Sequence, residues 1–565
     1  MRNPLSSRGH KKHTGMLEPD EIFIDAKNLP SFDRAHMEGR IERPLSPNAF
    51  RGLLLLTALL VLVYIGQTVN LTVFQHDSLS SWAEQNRLVH KTIIAERGLI
   101  EDRNGVPLAQ NSSTTTGNVT DIKRSYPLGE AAAQLVGYVS YPKRDSNGYW
   151  YQDQTMGITG IEELMDERLK GKNGIEIAET NAAGSVMSGS IVRKPESGET
   201  ITLSIDADLQ KAVYNYVKER ADASFIGGAA AIMDITNGEL LALVSYPSFD
   251  PEVMSSGEPK EKVQQYTKDT RSPFVDRAVV GLYTPGSIVK PFVAAAALNE
   301  KVVTPNTTFV STGKLVVPNP YDASKPSVFK DWKAHGAVDM RRAIAVSSDV
   351  YFYIVGGGFE SQKGLGITAL DTYAKKFGFG SKTGFPDDNE PEGTIPTPEW
   401  KALTFDDPVW RVGDTYITSI GQFGWQVTLL QAVRAVASLA NGGVLHTPTV
   451  QKGVMGSSTT VDIPEEYLKV AREGMRQAVS EGTAQSLSIP EFRVAGKTGT
   501  AETGAKKEFT NSLVIGFFPY EKPRYAFAVI MERSHAGTAL GAPAVMHNVL
   551  QWIAKERPEM GQPTE

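Results

Sequence analysis

One run of 24 residues without a charged side chain, from Gly52 to Gln75, constrains this chain of 565 residues more than any other feature. Its firmest apolar part extends from Leu53 to Ile65. A bilayer core needs about 20 apolar residues in helical form. Some 50 residues precede the run and no small-residue cleavage site follows it. The sequence therefore predicts an uncleaved transmembrane anchor over 51–75, with a cleaved signal peptide or a buried helix as alternatives.

The charges beside this segment indicate which way it crosses the membrane. Lys and Arg are enriched on the cytoplasmic side of membrane helices. Four basic residues lie close before the segment and two lie close after it, namely Arg34, Arg40, Arg43 and Arg51, then Arg87 and Lys91. This bias predicts a cytoplasmic N-terminus, with residues 76–565 outside. The tail 1–50 mixes charges of both signs with Pro, Ser and His, and it is expected to be disordered.

Composition excludes several classes of function. The chain contains no cysteine, so disulfides, thiolate catalysis and cysteine metal sites are excluded. The net charge is −6, and no basic stripe interleaved with aromatic residues is present. Nucleic acid is therefore not an expected partner.

The region after the anchor, 76–197, is predicted to be a separate, irregular, elongated module of mixed α/β structure. It is rich in glycine and charge, and long apolar periods are few. Within it, the segment 157–174 is predicted to form one helix, because its apolar residues recur with helical spacing.

The character of the chain changes near residue 198, where a strand pattern leads into a helix pattern. Two hairpins are predicted, one around Asn237-Gly238 and one over 512–532. The segments between them are helical, and 288–298 is apolar on all sides, which indicates burial. Hairpins at both ends with helices between predict an α+β domain over 198–556, with a central antiparallel sheet flanked by helices, and a tail over 557–565.

Ser287 and Lys290, in "GLYTPGSIVKPF", form a Ser-x-x-Lys pair that opens a long apolar helix. Residues three apart share a helix face, and a helix N-terminus favours a developing negative charge. Pro291 lacks the N–H that would bond the Ser287 carbonyl, which predicts a tight first turn. A plain helix cap with a solvent-facing lysine is the alternative. The same spacing also occurs at Ser140/Lys143, Ser311/Lys314 and Ser327/Lys330, in what looks like turn or loop sequence.

A lysine can activate a serine only when it is uncharged, and a second cation nearby favours that state. Lys497, in "GKTGTAE", is the candidate second cation, whereas Lys382 in "SKTGFPDD" lies in a turn-like context. On a strand, Thr498 and Thr500 face the same way, and Gly499 permits another backbone to approach. Two hydroxyl groups beside an ammonium group would bind a substrate carboxylate.

The third element is Ser347-Ser348-Asp349, which lies 60 residues after Ser287 and 150 residues before Lys497. Ser347 could relay a proton between Lys290 and a leaving amine. Taken alone, this triplet is an ordinary helix N-cap.

With all three elements present, the sequence resembles the penicillin-binding proteins, whose motif set is Ser-x-x-Lys, Ser-x-Asn and Lys-Thr-Gly. The likeness extends from the anchor to about residue 555. "ERGLIEDRNGVPLAQN", "GITGIEELMDERLKGKNG" and "ITLSIDADLQ" look like the non-catalytic region of class B members. Within that class the elongation type is the most similar.

The resemblance implies a bacterial inner-membrane D,D-transpeptidase that cross-links peptidoglycan stem peptides and is inhibited by β-lactams. It implies Ser287 as nucleophile, Lys290 as base and Ser347 as proton shuttle. Lys497, Thr498 and Thr500 would hold the terminal carboxylate, with Gly499 as a further substrate-binding position. The backbone N–H groups of Ser287 and Thr500 would form the oxyanion hole. It implies no cofactor or metal. It also implies a polytopic rod-shape glycosyltransferase and other elongation-complex proteins as partners.

Asp349 departs from the general family pattern, which has Asn at this position. Asp at this position resembles the elongation type. A carboxylate near Lys290 favours the ammonium form and so opposes the role of base. Asp331 and His335 suggest a metal site, but no third ligand is evident, so hydrogen-bonded roles are preferred.

Three other functions use the same motifs: a β-lactamase or carboxypeptidase, a division-type transpeptidase, and an idle scaffold that activates a glycosyltransferase. The anchor and the non-catalytic module argue against the first, and the intact motif set argues against the last.

Overall fold

The computed structural model describes residues 46–116, 119–146, 150–180, 186–319, 321–322, 324–504, 506–535 and 541–562. The chain forms two compact units, Met1–Leu88 and Val89–Glu565. Most of the N-terminal tail and the last three residues lie outside the described residues. The expectation that the tail is disordered concerns those residues.

The first unit contains the long apolar helix. Helix α1 (Pro47–Val69) continues as a π-helical turn (Asn70–Phe74), and α2 (His76–Arg87) follows. The Ser46 side chain accepts a hydrogen bond from the Ala49 amide, which caps α1. None of the α1 side chains is buried, and at 1.5 Å per residue the 28 residues from Pro47 to Phe74 extend about 42 Å. This helix is long and apolar enough to cross a membrane.

The helices of the second unit are short to medium in length. They are α3 (Ala133–Val136), α4 (Gly160–Leu164), α5 (Asp166–Leu169), α6 (Ala207–Ser224), α7 (Pro251–Ser256), α8 (Lys260–Lys268), α9 (Lys290–Asn299), α10 (Met340–Val346), α11 (Asp349–Gly357), α12 (Gly366–Lys376), α13 (Pro398–Thr404), α14 (Val412–Ser419), α15 (Leu429–Ala440), α16 (Glu465–Glu481) and α17 (Ala542–Glu556).

The strands form one large sheet and several small ones. They are β1 (Leu88–Ile93), β2 (Ile100–Glu101), β3 (Pro107–Thr116), β4 (Val119–Ser125), β5 (Val139–Ser140), β6 (Lys143–Arg144), β7 (Trp150–Gln152), β8 (Met156–Gly157), β9 (Gly174–Thr180), β10 (Val186–Arg193), β11 (Ile201–Thr202), β12 (Gly227–Asp234), β13 (Leu240–Tyr246), β14 (Phe309–Ser311), β15 (Lys314–Val317), β16 (Ser327–Lys330), β17 (Gly336–Val338), β18 (Val444–His446), β19 (Ser458–Thr460), β20 (Ala495–Thr503), β21 (Phe509–Phe518) and β22 (Tyr525–His535).

The large sheet is antiparallel and has the strand order β13-β12-β22-β21-β20. Both predicted hairpins are confirmed, as β12–β13 and β21–β22. Successive residues of a strand face opposite sides, and here both sides are buried. Ala229 and Ala231 face a core that includes α9 and α15, whereas Ala230 and Ile232 face a core that includes α6 and α17. The predicted α+β architecture, a central antiparallel sheet flanked by helices, is confirmed.

The region before the large sheet contains small sheets in the orders β1-β9-β10 and β11-β2-β3-β4. In the second of these, Ile201 pairs in parallel with Ile100, so the strand before α6 belongs to the same sheet as β2, β3 and β4. A buried charge cluster lies nearby: Glu162 accepts hydrogen bonds from the guanidinium groups of Arg97 (2.5 Å) and Arg124 (2.7 Å).

This cluster explains why the single helix expected over 157–174 is wrong. The structure has two short helices, α4 and α5, which separate at Met165. Arg97 Nη2 donates to the Glu162 carbonyl oxygen at 2.7 Å, and a continuous helix would use that oxygen for the Asp166 amide. Apolar spacing alone cannot reveal such a competing donor.

Candidate active site

Ser287 lies in a 3-10 turn, Gly286–Val289, which leads directly into α9. The Lys290 amide donates to the Ser287 carbonyl, so the first turn closes three residues on, as the missing N–H of Pro291 predicts. Gly286 has φ of +55°, and a β-carbon there would lie 2.8 Å from the Thr500 carbonyl oxygen. The serine turn therefore packs directly against β20.

Lys290 is fully buried, and its ammonium group has three acceptors. Nζ donates to the Ser347 carbonyl oxygen at 2.9 Å, to Ser347 Oγ at 3.2 Å and to Asp349 Oδ1 at 2.6 Å. The solvent-facing lysine of an ordinary helix cap is thereby excluded. The buried ammonium is instead compensated by a carboxylate, as a buried charge requires.

The junction of α10 and α11 supplies these acceptors. Ser347 ends α10 in the left-handed region, with φ 58° and ψ 42°. Ser348 caps α11 by accepting from the Tyr351 amide, and Asp349 is the first residue of α11. The N-cap role predicted for the triplet thus falls on Ser348, which leaves Ser347 and Asp349 to contact the lysine.

Lys497, on β20, is also fully buried, and Nζ donates to Ser347 Oγ at 3.0 Å and to the Thr498 carbonyl oxygen at 2.8 Å. Burial, and then the charge of Lys290, hold the pKa of Lys497 well below its ordinary value, although Asp349 opposes the shift. The sequence suggested that Lys497 would keep Lys290 uncharged. In the structure Lys290 pairs with Asp349 at 2.6 Å, and the charge of Lys290 helps to lower the pKa of Lys497.

The remaining residues of β20 form the wall beside the serine turn. A β-carbon at Gly499 would lie 2.7 Å from the Pro285 carbonyl oxygen, which accounts for glycine at this close approach. Thr500 is exposed on the strand, and Thr498, on the same face, donates to Thr483 Oγ1 at 2.9 Å. Along this strand Lys497 is fully buried, Thr498 is half-buried and Thr500 is exposed.

Three neighbours of the site escaped sequence reasoning. Thr483 contacts Thr498, and the Gln422 side chain lies 3.5 Å from the Thr500 carbonyl oxygen. Gly421 accepts a hydrogen bond from the Gly286 amide at 2.9 Å, and a β-carbon on Gly421 would lie 2.2 Å from the Gly286 carbonyl oxygen. Gly421 and Gln422 follow a buried helix without any recognisable motif, so no sequence signal marked them.

The other Ser-x-x-Lys pairs lie elsewhere in the fold. The loop expected at Ser327–Lys330 is wrong, because this segment is strand β16, paired with β15. Only Phe329 of this strand is half-buried and the other three residues are exposed. So short a segment among polar neighbours carries no clear strand pattern. Lys382 is exposed and donates to the Asp388 carbonyl oxygen, in agreement with the expected turn.

Of Asp331 and His335, considered as metal ligands, Asp331 is a hydrogen-bond acceptor. Asp331 Oδ2 accepts from Ser311 Oγ at 3.0 Å and from Ser348 Oγ at 2.9 Å. His335 Nε2 lies 3.4 Å from Asp331 Oδ1. Within the described ranges, no three His, Cys, Asp or Glu side chains lie together as a metal site would need.

A serine at a helix start lies beside a hydroxyl-bearing strand, and two buried lysines share the hydroxyl of Ser347. This arrangement is typical of acyltransferases with an active-site serine. Residues 228–551 match the family model of the penicillin-binding protein transpeptidase domain, and residues 117–203 match the penicillin-binding protein dimerisation domain. The chain belongs to the penicillin-binding protein transpeptidase family.

Individual relatives are similar over most of the chain. Peptidoglycan D,D-transpeptidase MrdA of Haemophilus influenzae is 33% identical over 473 residues, covering 77% of this chain and 70% of that relative. MrdA of Escherichia coli K12 is 28% identical over 615 residues, covering 89% and 93%.

Solved structures agree. Penicillin-binding protein 2 of Pseudomonas aeruginosa in complex with WCK 5153 is 30% identical with a TM-score of 0.69, over 84% of this chain and 100% of that one. The complex of penicillin-binding protein 2 and MreC from Helicobacter pylori is 26% identical with a TM-score of 0.69, over 83% and 99%.

Proposed function

We propose that this protein is an elongation-type peptidoglycan D,D-transpeptidase that acts through an acyl-enzyme on Ser287. One observation carries the proposal: two buried lysines from distant parts of the chain both donate to the hydroxyl of Ser347, at 3.2 and 3.0 Å. Burying two cations costs free energy, so their convergence is typical of a site that moves protons. The family and the curated relatives support the same activity.

In the acylation step, Ser287 Oγ attacks the carbonyl carbon of the penultimate D-Ala. The new C–O bond forms as the serine proton passes to Lys290. The C–N bond to the terminal D-Ala then breaks, and Ser347 delivers a proton to the leaving amine. In the second step, an amine of a neighbouring stem peptide attacks the ester carbonyl, gives up its proton through the same groups and releases Ser287.

Lys290 forms an ion pair with Asp349, but only an uncharged lysine can accept the serine proton. Lys290 must therefore first pass its own proton to another group. Both lysines contact the Ser347 hydroxyl, so a proton can pass from Lys290 through Ser347 to Lys497. The lowered pKa of Lys497 favours its uncharged form, whose free lone pair can accept that proton. We assign the two lysines one shared proton, with Ser347 as the carrier.

Substrate orientation falls to β20. The hydroxyl groups of Thr498 and Thr500, with Gly499 between them, would bind the terminal carboxylate, and a protonated Lys497 would add positive charge. The backbone amides of Ser287 and Thr500 would stabilise the oxyanion. This assignment is supported by the close packing of Gly286 on the Thr500 backbone. β-Lactams would acylate Ser287 in the same orientation.

Asp349→Asn tests the shared proton. Asp349 raises the pKa of Lys497, so its removal should lower that pKa further and leave the lysine uncharged at lower pH. We expect the variant to retain acylation by a labelled penicillin, with the rising limb of the pH–rate profile displaced to lower pH. Asp322→Asn, at a half-buried aspartate that contacts Ser324 and Lys325, is the control and should leave the profile unchanged. Complete loss of labelling would make the carboxylate essential and refute the scheme.

We also propose the topology and boundaries of the chain. The chain is membrane-anchored, and the basic residues before the anchor support a cytoplasmic N-terminus with the catalytic region outside. The proposed divisions are 1–50 for the tail, 51–75 for the anchor, 76–197 for the non-catalytic region, 198–556 for the transpeptidase domain and 557–565 for the end.

The proposed partners are a polytopic rod-shape glycosyltransferase and other elongation-complex proteins. Two structurally similar assemblies support this: the MreC complex from Helicobacter pylori, and a peptidoglycan synthase complex described as coordinating polymerization and crosslinking, 25% identical with a TM-score of 0.70. The likeness to the second covers 92% of this chain.

The activity itself is tested by incubating the full chain with pentapeptide-bearing glycan strands and analysing the products by mass spectrometry. We expect free D-Ala together with cross-linked dimers. Free D-Ala with tetrapeptide alone would indicate a carboxypeptidase, and no release at all would indicate a scaffold. Rapid hydrolysis of the penicilloyl-enzyme would indicate a β-lactamase.

A further inference from the structure

The segment Asp331–Trp332 contacts the chain on both sides of Ser347. On the downstream side, the Asp331 carboxylate accepts from Ser348 Oγ at 2.9 Å and from the Val350 amide at 3.1 Å. Ser311 Oγ donates to the same oxygen at 3.0 Å, which ties the carboxylate to β14. Because the Asp331 side chain is buried, water cannot substitute for these bonds.

On the upstream side, the Trp332 indole N–H donates to the Val346 carbonyl oxygen at 3.2 Å. The ring is 56% exposed, so burial of apolar surface is not what holds it. The Trp332 amide in turn donates to Asp331 Oδ1 at 2.9 Å, which joins the two contacts into one unit.

Ser347 itself occupies a backbone region that non-glycine residues seldom adopt, with φ of 58°. This conformation lets the carbonyl oxygen and the hydroxyl of one residue both accept from Lys290 Nζ. A strained residue keeps its conformation only when its surroundings enforce it. The residues on either side of Ser347 are held by Trp332 and Asp331.

We propose that Asp331 and Trp332 form a clamp that holds Ser347 in its left-handed conformation and so positions the relay hydroxyl between Lys290 and Lys497. They are positioning residues, since neither contacts a reacting atom. The proposal deepens the proposed function and rests on acylation at Ser287.

The carboxylate form suits this role. Burial disfavours the charge of Asp331, but hydrogen bonds from the Val350 amide and from Ser348 outweigh it, and the pKa of Asp331 is lowered. An ionised acceptor makes stronger hydrogen bonds than a neutral one. Replacing it with an amide should therefore loosen the downstream half of the clamp without changing its size.

The test measures the first-order acylation rate constant of the full chain with a fluorescent penicillin, separately from the fraction of protein that becomes labelled. We expect Asp331→Asn to lower the rate constant by about 10- to 100-fold and Trp332→Phe to lower it by about three- to tenfold. A merely structural defect would reduce the labelled fraction but leave the rate constant of that fraction unchanged.

Lys333→Ala is the matched control, because Lys333 is exposed on the same loop and its ammonium lies 4.5 Å from the Trp332 ring, away from both hydrogen bonds. Its rate constant should stay within about twofold of the unmodified chain. If Asp331→Asn does not fold, Trp332→Phe decides, since its ring is exposed. A rate constant within about twofold of the unmodified chain in the folded variants would overturn the clamp. Failure of the unmodified chain to acylate would instead refute the proposed function.

Discussion

Ser287→Ala is expected to abolish covalent labelling by fluorescent penicillin, a loss of about 10³-fold or more in acylation rate, because it removes the attacking oxygen itself. Ser347, the hydroxyl shared by the two lysines, lies in a different turn and is not expected to replace it. The residue is half-buried in a 3-10 turn, and alanine is compatible with that backbone, so the fold should survive. Gel fluorescence and the mass of the labelled peptide provide the measurement.

The chain supplies its own control for this result. Ser327→Ala changes another Ser-x-x-Lys serine, which is exposed on β16. It should label at the rate of the unmodified chain. Labelling that persists in Ser287→Ala, or that maps to a peptide without residue 287, would contradict the assignment of the nucleophile.

Lys290→Met is expected to lower the acylation rate by about 100- to 10,000-fold, the range that a general base contributes. Met keeps the length of the side chain but cannot take the serine proton or bond Ser347 and Asp349. The substitution removes the partner of the Asp349 carboxylate at 2.6 Å. It also leaves Lys497 as the remaining lysine that donates to the Ser347 hydroxyl. Stopped-flow acylation with a chromogenic cephalosporin measures the rate.

Lys330→Met is the matched variant, because Lys330 has the same spacing from a serine and is exposed. It should acylate normally. A Lys290→Met rate within about tenfold of the unmodified chain would remove Lys290 from the role of base and leave that role to Lys497.

The site was predictable wherever its chemistry is local. The Ser287–Lys290 spacing, the missing N–H of Pro291 and the alternation of Thr498 and Thr500 all follow from the geometry of one element. The same reasoning could not predict which of the two lysines would form an ion pair with Asp349. Asp349 contacts Lys290 because α10 and α11 meet at a left-handed Ser347, and that turn depends on neighbours that carry no motif.

The sequence by itself determined the long apolar helix, the two hairpins of the large sheet and which side chains are candidates for the reaction. These depend on apolar run length, turn residues and spacing within single elements, which act over a few residues. Only the tertiary structure decided the contact of Lys497 with Ser347 across 150 residues, the hydrogen bond from Ser348 to Asp331 and the separation of α4 from α5 at Met165. Burial of charge and competition for hydrogen bonds depend on groups far away along the chain, and those groups come together only when the fold is complete.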